Sequence, residues 1–132
     1  MSLADCFENT EGTGVLATAD AQGNVDLALY ARPHVVSDDE VIFIMGDHVS
    51  HNNITVNPHA AYLFLERGEP GRGQEGPGYK GVRLYLTRTT EEADPQKIEA
   101  LRRKGRKGHE SDGRQKFLVY FKVDRTRRLV GD

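Results

Sequence analysis

Six short apolar runs, each closed off by glycine, proline or small polar residues, limit what this chain can fold into. They are Val15–Ala19, Val25–Tyr30, Val41–Met45, Ala60–Leu65, Val82–Thr90 and Phe117–Val123. All are rich in β-branched or aromatic residues and too short for buried helices, so they predict strands. Val82–Thr90 alternates Val82, Leu84 and Leu86 with Arg83, Tyr85 and Thr87, the mark of a strand with one wet face. Between the first two runs lies Asp20-Ala21-Gln22-Gly23-Asn24, where Gly23 and Asn24 tolerate positive φ and predict a hairpin turn. Ser37-Asp38-Asp39-Glu40 predicts a second turn. Two short helices fit between the strands. Ser50 is the expected N-cap of the first, which stops at Asn57-Pro58. Asp94 caps the second with Pro95 at its first helical position, Ile98 and Leu101 on its apolar stripe, and Gly105 and Gly108 at its end. Residues 68–81 hold six glycines and two prolines and predict a loop. The expected architecture is a mainly β, single domain over residues 1–132: a six-stranded antiparallel barrel, closed or nearly so, which removes exposed edges.

The chain has 132 residues, a length typical of one domain and enough for one core without covalent staples. No apolar run approaches the ~20 residues that span a bilayer. The start, Met1-Ser2-Leu3-Ala4-Asp5-Cys6, has neither the basic nor the apolar region of a secretory signal. Cys6 is the lone cysteine, so no intrachain disulfide forms, and a reducing cytoplasm is expected. No base neighbours Cys6 in sequence, which favours a small apolar residue over a nucleophile. The net charge of −2 conceals a split: residues 1–96 sum to −9 and residues 97–128 to +8. Such a split suits an anionic partner, or two copies that attract each other.

The best chemical signal is Gly46-Asp47-His48-Val49-Ser50, at a strand-to-helix junction. A helix start presents unpaired N–H groups and partial positive charge, which suits a phosphate. Ser50 and His51 add side-chain donors, and Arg32 or Arg83 adds a full charge. The plainer reading is that Ser50 only caps the helix. His48 and His51 are three apart while His34 and His59 lie elsewhere, with no cysteine pair or acid cluster beside them, so no metal site is expected. There is no nucleophile elbow and no dinucleotide-binding glycine pattern. The run Arg102-Arg103-Lys104-Gly105-Arg106-Lys107 lacks interleaved aromatics and reads as a solvated helix end rather than a nucleic-acid contact. Tyr30 and Tyr79 flank polar or glycine-rich segments and are candidates to touch a ligand. Tyr62, Phe64, Tyr85, Tyr120 and Phe121 read as core. No residue is assigned a catalytic role; His34 and His51 are the candidates to move a proton near neutral pH.

Two phrases, Ala17-Thr18-Ala19-Asp20 with Gly23, and Asn53-Ile54-Thr55-Val56-Asn57-Pro58-His59-Ala60-Ala61, stand in an order that resembles the pyridoxamine 5'-phosphate oxidase-related family of FMN-binding split barrels. Glu75-Gly76-Pro77-Gly78-Tyr79-Lys80-Gly81 resembles the glycine-proline loop of its small bacterial FMN-binding members. The resemblance covers roughly residues 12–124. It implies a six-stranded antiparallel split β-barrel of Greek-key type, a cytoplasmic homodimer, and two FMN molecules in the subunit interface. It places Ala28, Tyr30, Ile44, Met45, His48, Ser50, His51 and Asn53 near FMN, with Tyr79, Lys80 and Arg83 coming from the other subunit. Many members carry Lys or Arg where this chain has Ser50, and the B6 oxidases carry Arg where it has Ala28. Replacement cations for the phosphate are then Arg32, His48, His51, Lys80 and Arg83. The C-terminal extension of true B6 oxidases is also missing, so B6 oxidation is not the expected reaction. The resemblance thus implies an FMN-binding protein and, in its enzymatic version, a flavin-dependent oxidoreductase. The alternative is a non-catalytic flavin-binding barrel, or a cofactor-free dimeric one acting through protein contacts and less through nucleic acid.

Overall fold

The structure is a computed structural model, and it describes residues 2–7, 10–67, 80–101 and 115–131. Seven antiparallel strands form one sheet: β1 (Gly12–Ala19), β2 (Val25–Leu29), β3 (His34–Ser37), β4 (Glu40–Gly46), β5 (His59–Glu66), β6 (Gly81–Glu92) and β7 (Lys116–Arg128). Among the described residues, three helices accompany them: α1 (Leu3–Phe7), α2 (Val49–Val56) and α3 (Pro95–Leu101). The expected mainly β antiparallel architecture holds, but the described residues form seven strands rather than six and three helices rather than two, and the sheet is not closed. Its order is β2-β1-β5-β6-β7-β4-β3, which leaves β2 and β3 as edges. The chain between them explains the gap. The N–H of Tyr30 bonds to Gly14 O and its carbonyl accepts from the Tyr62 hydroxyl at 3.0 Å, so both are taken. Pro33 has no N–H to give.

Local chemistry builds the elements. In the β1–β2 turn, Asp20 Oδ1 accepts the N–H groups of Gln22 and Asn24, both at 2.9 Å, while Gly23 takes φ +86°. These bonds, that from the Asn24 side chain foremost, hold the Asp20 carboxyl below the usual carboxylate range. Register shifts interrupt the β6–β7 ladder at Tyr85/Leu86 and Arg88/Thr90. Such bulges bend and twist the two longest strands, coiling the sheet around its core.

That core joins Leu16, Phe43, Met45, Ile54, Tyr62, Phe64, Leu84, Leu86 and Phe121 with Leu3 and Phe7 of α1. Phe43 is its hub, with ring centroids 5.0 Å from Tyr62, 5.8 Å from Phe121 and 6.0 Å from Tyr30. A second cluster of Ile42, Leu118 and Ile98 seats α3 on the other face of β4 and β7. Burial on both faces accounts for the unbroken apolar run of β4. At α3 the expected start is observed: Asp94 Oδ1 accepts the Gln96 N–H at 2.9 Å. Its expected end at Gly105 and Gly108, residues 68–79 of the expected loop over 68–81 and the basic run from Arg102 lie outside the described residues, while Gly81 of that expected loop opens β6 instead.

The opposite edge has no such cover. Val25, Leu27 and Leu29 of β2 are 81%, 69% and 76% exposed on one face. Their cross-strand neighbours on that face are Ala19, Ala17 and Val15 of β1, followed by Ala61 and Leu63 of β5. This face is apolar across three strands, a surface that usually marks an interaction site.

Candidate functional site

The site is built at the start of α2, where the chain leaves β4 through Gly46, Asp47 and His48. Ser50 is not the N-cap that its sequence position suggests. His48 occupies that place, with extended backbone and no side-chain cap bond, and its carbonyl accepts the Asn52 N–H at 3.1 Å. The N–H groups of Val49, Ser50 and His51 precede that first bond and have no acceptor within the helix. Packing against β1 and β2 decides the boundary instead: Ser50, His51, Asn53 and Ile54 all turn inward and are buried. The Asn53 amide donates to the Thr18 hydroxyl at 3.1 Å, tying α2 to β1 inside the fold.

Two candidates meet here. Tyr30 stands just past the end of β2. Burial raises its phenol above the ordinary value, and the nearby Ser50 side chain offsets part of that. Tyr30 is therefore a neutral hydroxyl at physiological pH, able to donate and accept.

His51 has partners that no sequence pattern signalled. Its Nε2 lies 3.1 Å from both carboxylate oxygens of Glu91, and Arg88 Nη2 lies 2.8 Å from Glu91 Oε1. Burial works to raise the Glu91 carboxyl, but the bonds and charges of Arg88 and His51 outweigh it, and it sits below its ordinary value. An ionised carboxylate only accepts, so Nε2 carries a proton. The imidazole also stacks on Phe117, centroids 4.0 Å apart and planes within 3°.

The remaining candidates are dispersed. Ala28 is half-buried on the inward side of β2, Ile44 packs on the α3 cluster, and Met45 is wholly buried in the core. His48 is exposed beside Gly46, where an added Cβ would come within 2.8 Å of its ring. Arg32 reaches the other way, donating to the carbonyls of Phe7 (2.6 Å) and Thr10 and so fixing the end of α1. Arg83 Nε donates to Arg128 O at 2.7 Å, and its Nη2 donates to Gly131 O. Lys80 is exposed at the start of β6. Arg83 and Glu91 are eight residues apart on β6, about 26 Å of extended strand, so Lys80 and Arg83 stand far from the α2 start of their own subunit. His34 lies on β3, half-buried, and Tyr79 lies outside the described residues. Among the described residues there is no cluster of three metal-binding side chains, and no helix is long and apolar enough to cross a membrane.

No protein family and no curated protein matches the chain in sequence. Solved structures do match in shape. An FMN-binding protein from Syntrophomonas wolfei subsp. wolfei aligns over 97% of this chain and 84% of its own, with TM-score 0.72 and 15% identity. HutZ, the heme storage protein from Vibrio cholerae, aligns over 97% and 95%, with TM-score 0.62 and 14% identity. The styrene monooxygenase flavin reductase from Pseudomonas putida S12 aligns over 95% and 83%, with TM-score 0.59 and 13% identity. At such identities the likeness is one of fold, and it agrees with the phrases around Ala17–Asp20 and Asn53–Ala61: the chain has the split-barrel fold of the pyridoxamine 5'-phosphate oxidase-like proteins.

Proposed function

We propose that two copies of this chain pair through the apolar face of β1, β2 and β5 and hold FMN in the seam, and that the pair serves flavin-dependent oxidation and reduction in the cytoplasm. One observation carries the reading: the uncovered stripe Val25, Leu27, Leu29 lies on β2, and Tyr30, just past the end of that strand, stands near Ser50 at the start of α2. The fold supports it, since proteins named for FMN binding and flavin reduction share it.

The residues fit such a ligand. The turn that opens α2 offers the N–H groups of Val49, Ser50 and His51, and a phosphate oxygen satisfies donors of this kind. Nδ1 of His51, buried and without a hydrogen-bond partner, belongs to the same turn. Tyr30 and Ser50 add two hydroxyls for ribityl oxygens or phosphate. The apolar stripe suits one face of a flat ring, and an opposed copy would exclude water from the other. Lys80, exposed and far from α2 in its own subunit, is available to the anionic end only from a partner. Bound flavin supplies hydride or single-electron transfer; the chain's part is to bind, orient and shield.

The visible spectrum of freshly purified protein, followed by thermal melts with added FMN, tests this. A yellow protein is expected, or a colourless one that FMN stabilises. At a hundred times the dissociation constant the gain is about 2.7 kcal/mol, roughly 10 °C for a domain of this size. A colourless chain whose Tm ignores millimolar FMN overturns the reading and leaves the cofactor-free dimeric barrel. A response to hemin in place of FMN would move the ligand to the class named for the Vibrio cholerae protein.

A further inference from the structure

Resting on the FMN reading above, we propose that Glu91 is a positioning residue: it fixes the His51 ring so that Nδ1 faces the phosphate of the bound flavin. The ring has little freedom. Phe117 covers it in parallel at 4.0 Å, and Nε2 sits evenly between the two Glu91 oxygens at 3.1 Å. Arg88 holds Glu91 from the other side at 2.8 Å. Every polar contact of the imidazole is thus spent except Nδ1, on a residue only 8% exposed. A buried polar atom without a partner is costly to the fold, and a ligand that pairs with it recovers that cost on binding.

Other charged or titratable groups on the surrounding elements include Asp47 and His48 before α2, Asp20 after β1, Asp26 on β2, Glu40 at the far end of β4, Glu92 on β6 and Lys116 on β7. Asp26 acts on Tyr30, and Glu92 is engaged by Lys97 and Tyr120, so Glu91 is the carboxylate committed to His51.

The test compares FMN with riboflavin, which shares the ring and ribityl chain and lacks the phosphate. Flavin affinity is measured by fluorescence titration for the parent, Glu91→Gln and Arg88→Gln, with circular dichroism to confirm folding. Glu91→Gln keeps the side-chain length and removes the charge. The expected result is a loss of about tenfold in FMN affinity with riboflavin unchanged, and a smaller selective loss for Arg88→Gln. Equal losses for FMN and riboflavin would reduce Glu91 to a structural role, and unchanged FMN affinity in both variants would overturn the proposal outright. Failure of the parent to bind either flavin is a different result, which removes the FMN reading and this proposal with it. Should Glu91→Gln not fold, Arg88→Gln alone decides by the same comparison.

Discussion

Leu27→Asp is the perturbation most revealing of the proposed pairing. Leu27 stands on an edge strand, 69% exposed, opposite Ala17 in the β1–β2 ladder. Covering a leucine side chain completely is worth about 1.5–3 kcal/mol, so the share still exposed is worth about 1–2 kcal/mol. A twofold interface contains the residue twice, which makes about 2–4 kcal/mol for the pair. Two carboxylates brought into an apolar seam add to the loss. A shift of at least about 3 kcal/mol raises the dimer dissociation constant by about two orders of magnitude. The isolated subunit should hardly notice, because the side chain touches solvent there; lower strand propensity costs at most about 1 kcal/mol. Sedimentation equilibrium of parent and variant, with circular dichroism alongside, reads both effects. A folded, monomeric Leu27→Asp chain is the expected outcome. A variant that dimerises like the parent, or a parent already monomeric at tens of micromolar, would refute the assignment of this face.

Three further expectations concern the subunit. Asn53→Ala leaves the buried Thr18 hydroxyl unpaired and should cost about 1–3 kcal/mol in urea unfolding, with Thr18→Val added to it returning part of the loss. Gly14→Ala places a Cβ 1.8 Å from the Tyr62 hydroxyl and 2.4 Å from the Tyr30 carbonyl, so a loss of about 3 kcal/mol or failure to fold is expected in the same assay. The Glu91 carboxyl is lowered on folding, so its contribution is present above the unfolded value of about 4.5 and lost as pH falls through the folded one; melts below pH 4.5 should show a drop that Glu91→Gln lacks.

What could be read without coordinates, and what could not, follows from the range of the interactions. The β1–β2 hairpin was legible because Asp20, Gly23 and Asn24 make their own turn within five residues. The start of α3 was legible for the same reason, through Asp94 and Pro95. β3 was missed because His34–Ser37 is four residues long, follows Pro33 and runs into a turn; only pairing with β4 makes it a strand. α1 was missed because a single turn has no intrinsic stability, and Leu3 and Phe7 are held by the core they enter. Ser50 looked like a cap because it has the right chemistry one turn before an apolar run, but burial against Tyr30 took it into the helix. Of the site, the start of α2 was visible locally. The link from His51 to Glu91 spans forty residues and exists only because β6 and α2 meet at one end of the sheet.

The account turns on flavin being held between two copies, and sedimentation velocity monitored at the visible absorbance of flavin tests that most directly. With FMN present, the colour should travel with the dimer boundary at one flavin per chain. Colour left behind at the rate of free FMN, or carried by a single subunit, would contradict it.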